Sequence, residues 1–186
     1  MSTSMNAPYH HGDLRRALLE AAMIILERDG EAGVQLRDLA RAVNVSPAAP
    51  YRHFDSRASL LESLAVIGFQ RFTQRMEETA AAQPTPLRKA MGQAYVHFAL
   101  ENPGLFRLMF SPQLRRDNRP GLRMAAAAAF KTLRHVTGGD QDDLRIQAIS
   151  AWAHVHGLAV LLLDNQIALG SAGEREQLID AVLGEL

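Results

Sequence analysis

Apolar residues recur along this chain at intervals of three and four and nowhere alternate as a strand requires, so the expected fold class is all-α. Over residues 13–29, Leu14, Ala17, Leu18, Ala21 and Ile25 fall on one helical face, and Gly30 comes next as a C-terminal glycine cap. A shorter helix is predicted over 36–43, burying Leu36, Leu39, Ala40 and Val43. Gln35 precedes it where a small capping residue is usual, so its start is weakly specified. Asn44 follows it, where a left-handed residue is often needed and asparagine tolerates that conformation. Ser46 suits an N-cap and Pro47 a first helical position, which predicts a third short helix over 47–53 after a tight turn. "FDSR" ends it. Asp55 or Ser56 then caps a long fourth helix reaching about residue 82, with Leu60, Leu61, Leu64, Ile67, Phe72 and Met76 inside.

Beyond residue 85 the pattern changes. A Pro-rich loop leads to a helix over 86–101, and "ENPGLF" breaks it and starts another through Leu105, Phe106, Leu108, Met109 and Phe110. "SPQLRRDNRPG" reads as a polar loop. A helix over 121–136 carries the small-residue run "MAAAAAF", and "TGGDQDD" is a break with Asp140 as the cap of the next helix. That helix is long, expected over 141–168, and a last one is expected over 174–183. The longest apolar run carries His154, His156 and Asp164 and falls short of the about 20 residues of a spanning helix, so no membrane role is expected.

A length of 186 residues and 47% hydrophobic content describe an ordinary globular chain. With no cysteine, disulfides and thiolate chemistry are excluded. The N-terminus lacks the layout of a signal peptide, and a cytoplasmic location is expected. Net charge is zero. Between Tyr9 and Ser59 seven arginines (15, 16, 28, 37, 41, 52 and 57) face seven acids, so the usual basic footprint of a DNA-binding domain is absent. Any nucleic-acid role must therefore rest on where the arginines point.

Two short helices joined by a tight turn and braced by a preceding helix form the geometry of a helix-turn-helix reader. Ser46 and Pro47 begin the reading helix. Ala48 and Ala49 are small enough to approach a major groove and touch thymine methyls. Arg52 reaches a guanine edge or a phosphate, Tyr51 and His53 donate to phosphates, and Arg37 and Arg57 add cations at the starts of neighbouring helices. Each has a plainer reading: Tyr51 and Phe54 as core rings, the arginines as solvated surface charges. The arm before Asp13, with His10 and His11, is either a loose tail or lies along the DNA backbone or a groove.

The stretch "VQLRDLARAVNVSPAAPYRHFDSRASLLESL", with "HGDLRRALLEAA" before it, resembles the DNA-binding region of TetR-type transcriptional regulators over residues 12–64. "FALENPGLFRLMFSP" and "AISAWAHVHGLAVLLLD" are similar to a subclass of TetR-type C-terminal domains with a Trp-then-His-Gly signature, here Trp152, His156 and Gly157. The resemblance implies an all-helical homodimer: a helix-turn-helix domain at 1–56 binding a palindromic double-stranded DNA operator, and a ligand-binding and dimerisation domain at 57–186. It implies a repressor released by a small apolar effector. Gln35 stands where the family has a hydroxyl residue and Pro50 where many members carry an aliphatic or hydroxyl one, so no DNA contact is assigned to either.

In the C-terminal half, Met91, Tyr95, Phe98, Phe106, Met109, Phe110, Met124, Phe130, Trp152 and His156 are candidates to line an apolar pocket; the alternative is that most are core. From Ile146 to Leu163 the long helix is apolar nearly all round, so one face fills the subunit core and another meets a partner. Trp152, Val155, Leu158, Ala159, Leu162, Leu178, Ile179 and Val182 are the expected seam of a homodimer, which would hold its two readers about 34–36 Å apart or further. No glycine-rich phosphate loop, nucleophile elbow or paired His-Glu motif points to an enzyme or a cofactor. The competing readings are a metal-dependent enzyme using His97, His154, His156 and Asp164, and an interaction protein that keeps the fold without binding DNA.

Overall fold

The computed structural model describes residues 11–83, 86–115, 119–137 and 142–184; the arm ending in His10 and the expected Asp140 cap lie outside them. Among the described residues the protein is all helical: α1 (His11–Gly33), α2 (Leu36–Ala42), a 3-10 turn (Pro50–Arg52), α3 (Arg57–Ala81), α4 (Leu87–Glu101), α5 (Pro103–Met109), α6 (Pro112–Arg115), α7 (Pro120–Thr137), α8 (Asp142–Leu163) and α9 (Ala172–Leu183). The long α3 is the common partner. It packs on α1 at one end and on α4, α5 and α7 along its length, while α8 and α9 cover α4 from the other side. One apolar core runs without interruption from Leu18, Leu26 and Leu39 through Leu60, Leu64 and Met76 to Tyr95, Phe106 and Leu183. A helix at the reader end is thus packed directly onto the bundle.

Local chemistry sets the boundaries. At Gly30 the backbone turns to φ 70°, so the first helix breaks where the glycine predicts, and one more turn continues to Gly33. Asn44 sits at φ 54°, with Val45 N–H reaching Ala40 O at 2.9 Å and Asn44 N–H reaching Arg41 O at 3.2 Å, the Schellman closure of α2. The same device corrects the expected reach of the long helix to residue 168. Asn165 adopts φ 51°, Gln166 N–H bonds Leu161 O at 2.9 Å, and α8 stops at Leu163. Ser56 and Ser59 form a reciprocal capping box, each side chain accepting from the other's backbone N–H at 3.2 Å, which fixes the start of α3. Part of the expected polar loop is helical, as α6.

The third element also differs from expectation. Instead of a helix over 47–53, Pro47 and Ala48 form a turn and Pro50–Arg52 a 3-10 turn. The cause is Pro50, which has no N–H to give to Ser46 O. That carbonyl takes the Ala49 N–H at 2.9 Å instead, and the tighter spacing continues from Arg52 to Ala49 and from His53 to Pro50. Ser46 gives no side-chain cap, because the 3-10 turn begins after Ala49.

Over Arg145–Leu163, α8 is long and apolar enough by length and composition alone to cross a membrane, which corrects only the expected shortness of the apolar run. Its inner face is occupied: Val155, Leu158, Ala159 and Leu162 are buried against the rest of the chain.

Candidate nucleic-acid interface and effector pocket

The reader is built by bracing a short exposed segment from behind. Pro50 and Phe54 are buried beneath the 3-10 turn, and the Arg15 guanidinium lies 5.3 Å from the centre of the Phe54 ring. With Phe54 and Pro50 in the core, Ser46, Pro47, Ala48 and Arg52 are exposed, Tyr51 is 48% exposed, and Ala49 is half-buried. His53 is half-buried, and its Nε2 is enclosed with no hydrogen-bond partner among the described residues.

The neutral charge count resolves once each arginine is traced. Arg16 pairs with Glu20 at 3.2 Å, Arg28 pairs with Asp29, and Arg41 pairs with Asp38 at 3.3 Å. The Arg28 bond holds the exposed Asp29 carboxyl below its ordinary range. Arg15 bonds Ser63 Oγ at 3.5 Å. Arg57 turns inward, donating to Val34 O at 2.8 Å and to Glu31 O. This corrects the expectation that Arg57 presents a cation to a phosphate: its guanidinium ties the start of α3 to the carbonyls of the α1–α2 connection. Arg37, on the first turn of α2, and Arg52, on the 3-10 turn, remain exposed and make no ion pair among the described residues. Two uncompensated cations and one tyrosine flank the turn on the exposed side.

In the bundle, a cavity of about 420 Å³ lies between α3 and α7 and reaches α4, α5 and α8. Phe69, Phe72, Tyr95, Met109, Phe110, Leu114, Leu122, Ala126, Ala129, Phe130, Leu133 and Trp152 line it, with Arg119 and Arg123. The rings meet edge to face, Phe72 and Tyr95 at 5.1 Å and Phe130 and Trp152 at 5.5 Å between centres. Trp152 Nε1 donates to Tyr95 Oη at 3.1 Å, and Tyr95 Oη lies 2.9 Å from His156 Nδ1. Burial pushes the Tyr95 hydroxyl above the ordinary tyrosine range, with the bond from Trp152 acting in the opposite direction. It is therefore a neutral hydroxyl at any working pH.

Of the pocket residues expected from sequence, Tyr95, Met109, Phe110, Phe130 and Trp152 line the cavity. Met91, Phe98 and Phe106 are core, and His156 stands behind Tyr95 rather than on the wall. Met124 is corrected outright: it is 74% exposed, on the outer face of α7. Sequence reasoning missed Arg119 and Arg123, because Arg119 falls in a stretch whose composition reads as loop. The signal was present, since residues 119, 123, 126, 130 and 133 repeat at alternating intervals of four and three.

The expected dimer seam is also revised. Val155, Leu158, Ala159, Leu162 and Ile179 are buried inside the protomer, and Trp152 is half-buried against Tyr95, so these side chains are not offered to a partner. The apolar residues left outside on α8 are Ile146, Ile149, Val160 and Leu161, with Leu178 and Val182 partly exposed on α9. A Cβ added at Gly157, on the same helix, would meet nothing within 4 Å. The histidines do not converge. His97 bonds Glu176 at 2.9 Å, Asp164 pairs with Arg107 at 2.7 Å, His154 is exposed, and no three metal-binding side chains cluster among the described residues.

Residues 18–64 match the family model of bacterial regulatory proteins of the tetR family, and residues 89–186 match that of the tetracyclin repressor-like C-terminal domain. A curated relative, the uncharacterized HTH-type transcriptional regulator YobS of Bacillus subtilis, is 30% identical over 96 residues, covering 51% of this chain and 50% of that protein; the match spans about half the relative's length. A solved structure of a protein with unknown function from Rhodococcus sp. RHA1 superposes with a TM-score of 0.80 at 33% identity, covering 97% of this chain and 99% of that one. The crystal structure of AibR in complex with isovaleryl coenzyme A and operator DNA shares the fold, with a TM-score of 0.66 at 18% identity and coverage of 93% and 97%. An exposed reader braced on a buried Phe54, an apolar cavity in the bundle and matches over both halves agree: the chain belongs to the TetR family of bacterial regulatory proteins.

Proposed function

We propose that this protein is a cytoplasmic, ligand-responsive transcription regulator without enzymatic activity, a repressor that binds a palindromic operator as a homodimer. Residues 1–56 act as the reader and 57–186 as the effector and dimerisation unit. The observation that carries the reading is the placement of Arg37, Tyr51 and Arg52, exposed around the turn while the other cations of the region are internally engaged. Arg52 and Tyr51 would meet base edges or phosphates, Ala48 the groove floor, and Arg37 a flanking phosphate. The exposed apolar face of α8, with Leu178 and Val182 of α9, is the proposed seam.

The effector's route to the reader runs through two helices. Phe69 and Phe72 of α3, and Met109 and Phe110 at the end of α5, all face the cavity. The start of α5 holds α1: the Glu27 carboxylate accepts the Gly104 N–H at 2.8 Å and the Leu105 N–H at 3.0 Å, and Ser111 Oγ donates to Glu31 at 3.1 Å. An occupant that tilts α3 and shifts α5 therefore moves the reader with them. It need only bind one arrangement better than the other, because differential affinity is what shifts the population.

Selection of DNA fragments from a random pool, with competitor DNA and a salt series, tests the reading. Recovery of a palindrome, lost in the Arg52→Ala, Tyr51→Ala double variant, is the expected result. Weak binding without sequence preference, unchanged by those substitutions, overturns it and favours an interaction protein on the same fold.

A further inference from the structure

We propose that the ligand of the bundle cavity is an amphipathic monoanion, a small carboxylic acid whose aliphatic or aromatic body sits among the rings and whose acid group meets Arg123. The inference rests on the reading of this cavity as the effector site and adds the chemistry of the effector. The wall is apolar, and the volume of about 420 Å³ equals that of about 14 waters at about 30 Å³ each, enough for an eight- to ten-carbon body. The polar atoms divide sharply. Trp152 Nε1 donates to the buried Tyr95 Oη, which in turn bonds His156 Nδ1, so these groups place little demand on an occupant. Two arginines one helical turn apart, Arg119 and Arg123, also line the cavity. Arg119 is compensated, pairing with Glu62 at 2.7 Å and donating to Ala58 O at 3.3 Å. Arg123 lines the cavity, is exposed, and makes no ion pair among the described residues.

The site thus offers one uncompensated positive charge beside a deep apolar wall. A neutral hydrocarbon would gain nothing from the guanidinium, and a cationic ligand would be opposed by it. A carboxylate matches the guanidinium fork in geometry and charge, and its body fills the rest. Because Arg123 is solvent-facing, the acid group contributes by about the upper end of an exposed ion pair, roughly five-fold in affinity, and more at low salt.

The protein carries its own reporter, since Trp152 is its single tryptophan and lines the cavity. Decanoate and 1-decanol share one chain and differ in head group, so their titrations of Trp152 fluorescence in the full-length protein isolate the charge. Decanoate is expected to bind about five-fold tighter, with the preference shrinking as salt rises. Arg123→Gln should abolish the preference while leaving decanol affinity unchanged, and Arg123→Lys should restore most of it. Equal binding of the two probes, or a preference that survives Arg123→Gln, overturns the acid-head inference and leaves the cavity as a neutral apolar site. Ala126→Phe, which fills the cavity, should weaken both probes. If both bind undiminished, or neither perturbs Trp152, the effector-site reading itself fails.

Discussion

Gly104→Ala probes the joint between reader and bundle. A Cβ at this position would lie 2.4 Å from Leu26 O, 2.9 Å from Leu26 C and 3.0 Å from the Glu27 Cα, all backbone atoms of α1 that cannot swing aside. Opening the shortest of these to 3.0 Å requires α5 to retreat by about 0.6 Å. The same movement stretches the Glu27 bonds to Gly104 N and Leu105 N, now 2.8 and 3.0 Å, to about 3.4 and 3.6 Å, past useful hydrogen-bond length. Overpacking of this kind costs about 1–3 kcal/mol. Weakening two charge-assisted bonds in a half-buried site adds about 1–2 kcal/mol. The expected loss is about 2–5 kcal/mol, or about 4–20 °C in Tm for a chain of this size. Thermal unfolding monitored by circular dichroism, at matched protein concentration, measures it. Gly121→Ala is the control, since the methyl added there meets nothing within 4 Å, and it should leave Tm unchanged or slightly raised. A Gly104→Ala protein within about 0.5 kcal/mol of the parent would refute the claim that α5 is seated on the α1 backbone.

Arg57→Gln removes the bonds to Val34 O and Glu31 O, and should cost about 1.5–3 kcal/mol in urea unfolding; an unchanged midpoint would return Arg57 to the surface. Tyr95→Phe leaves Trp152 Nε1 without its acceptor and should cost about 1–3 kcal/mol near neutral pH. Its pH signature has a definite sign. The folded hydroxyl titrates above the unfolded one, so its contribution is complete below about pH 10 and falls as pH rises through that value. The parent should therefore lose stability more steeply than Tyr95→Phe above pH 10, and parallel curves would contradict this. Val160→Glu with Leu161→Glu should convert the dimer to a folded monomer in sedimentation, because both residues stand on the exposed face of α8; a persistent dimer places the seam elsewhere. Arg52→Ala should lower the slope of log affinity for the operator against log salt by about 0.9 if it meets one phosphate, and leave the slope unchanged if it meets only a base.

Legibility in the sequence varied with the range of the interaction involved. The helices of the bundle announced themselves by period, and the caps at Asn44 and Ser56 by residue type, because those choices are settled within one turn of the backbone. Pro50 was legible as an irregularity. Its conversion of a helix into a 3-10 turn depends on one missing N–H at Ser46 O, a count that the apolar pattern does not make. Arg57 reads as a surface cation, because the carbonyls it serves lie 23 and 26 residues back. The seam was misplaced for a physical reason. A helix apolar all round does not state which face its own subunit covers, and α4 takes the Val155–Leu162 side. Arg123 lies inside the helix expected over 121–136, but which face of that helix meets the rings is settled by its packing on α3.

The central claim is that the cavity and the reader bias one equilibrium. The direct measurement is the affinity of a cavity ligand, read from Trp152, in the free protein and in protein saturated with its selected operator. Linkage requires that operator weaken the ligand by the same factor by which the ligand weakens operator binding, a factor of about 5–150 where coupling is about 1–3 kcal/mol. Such a matched pair of factors is the predicted result. Equal ligand affinity in the free and operator-bound protein would contradict the account.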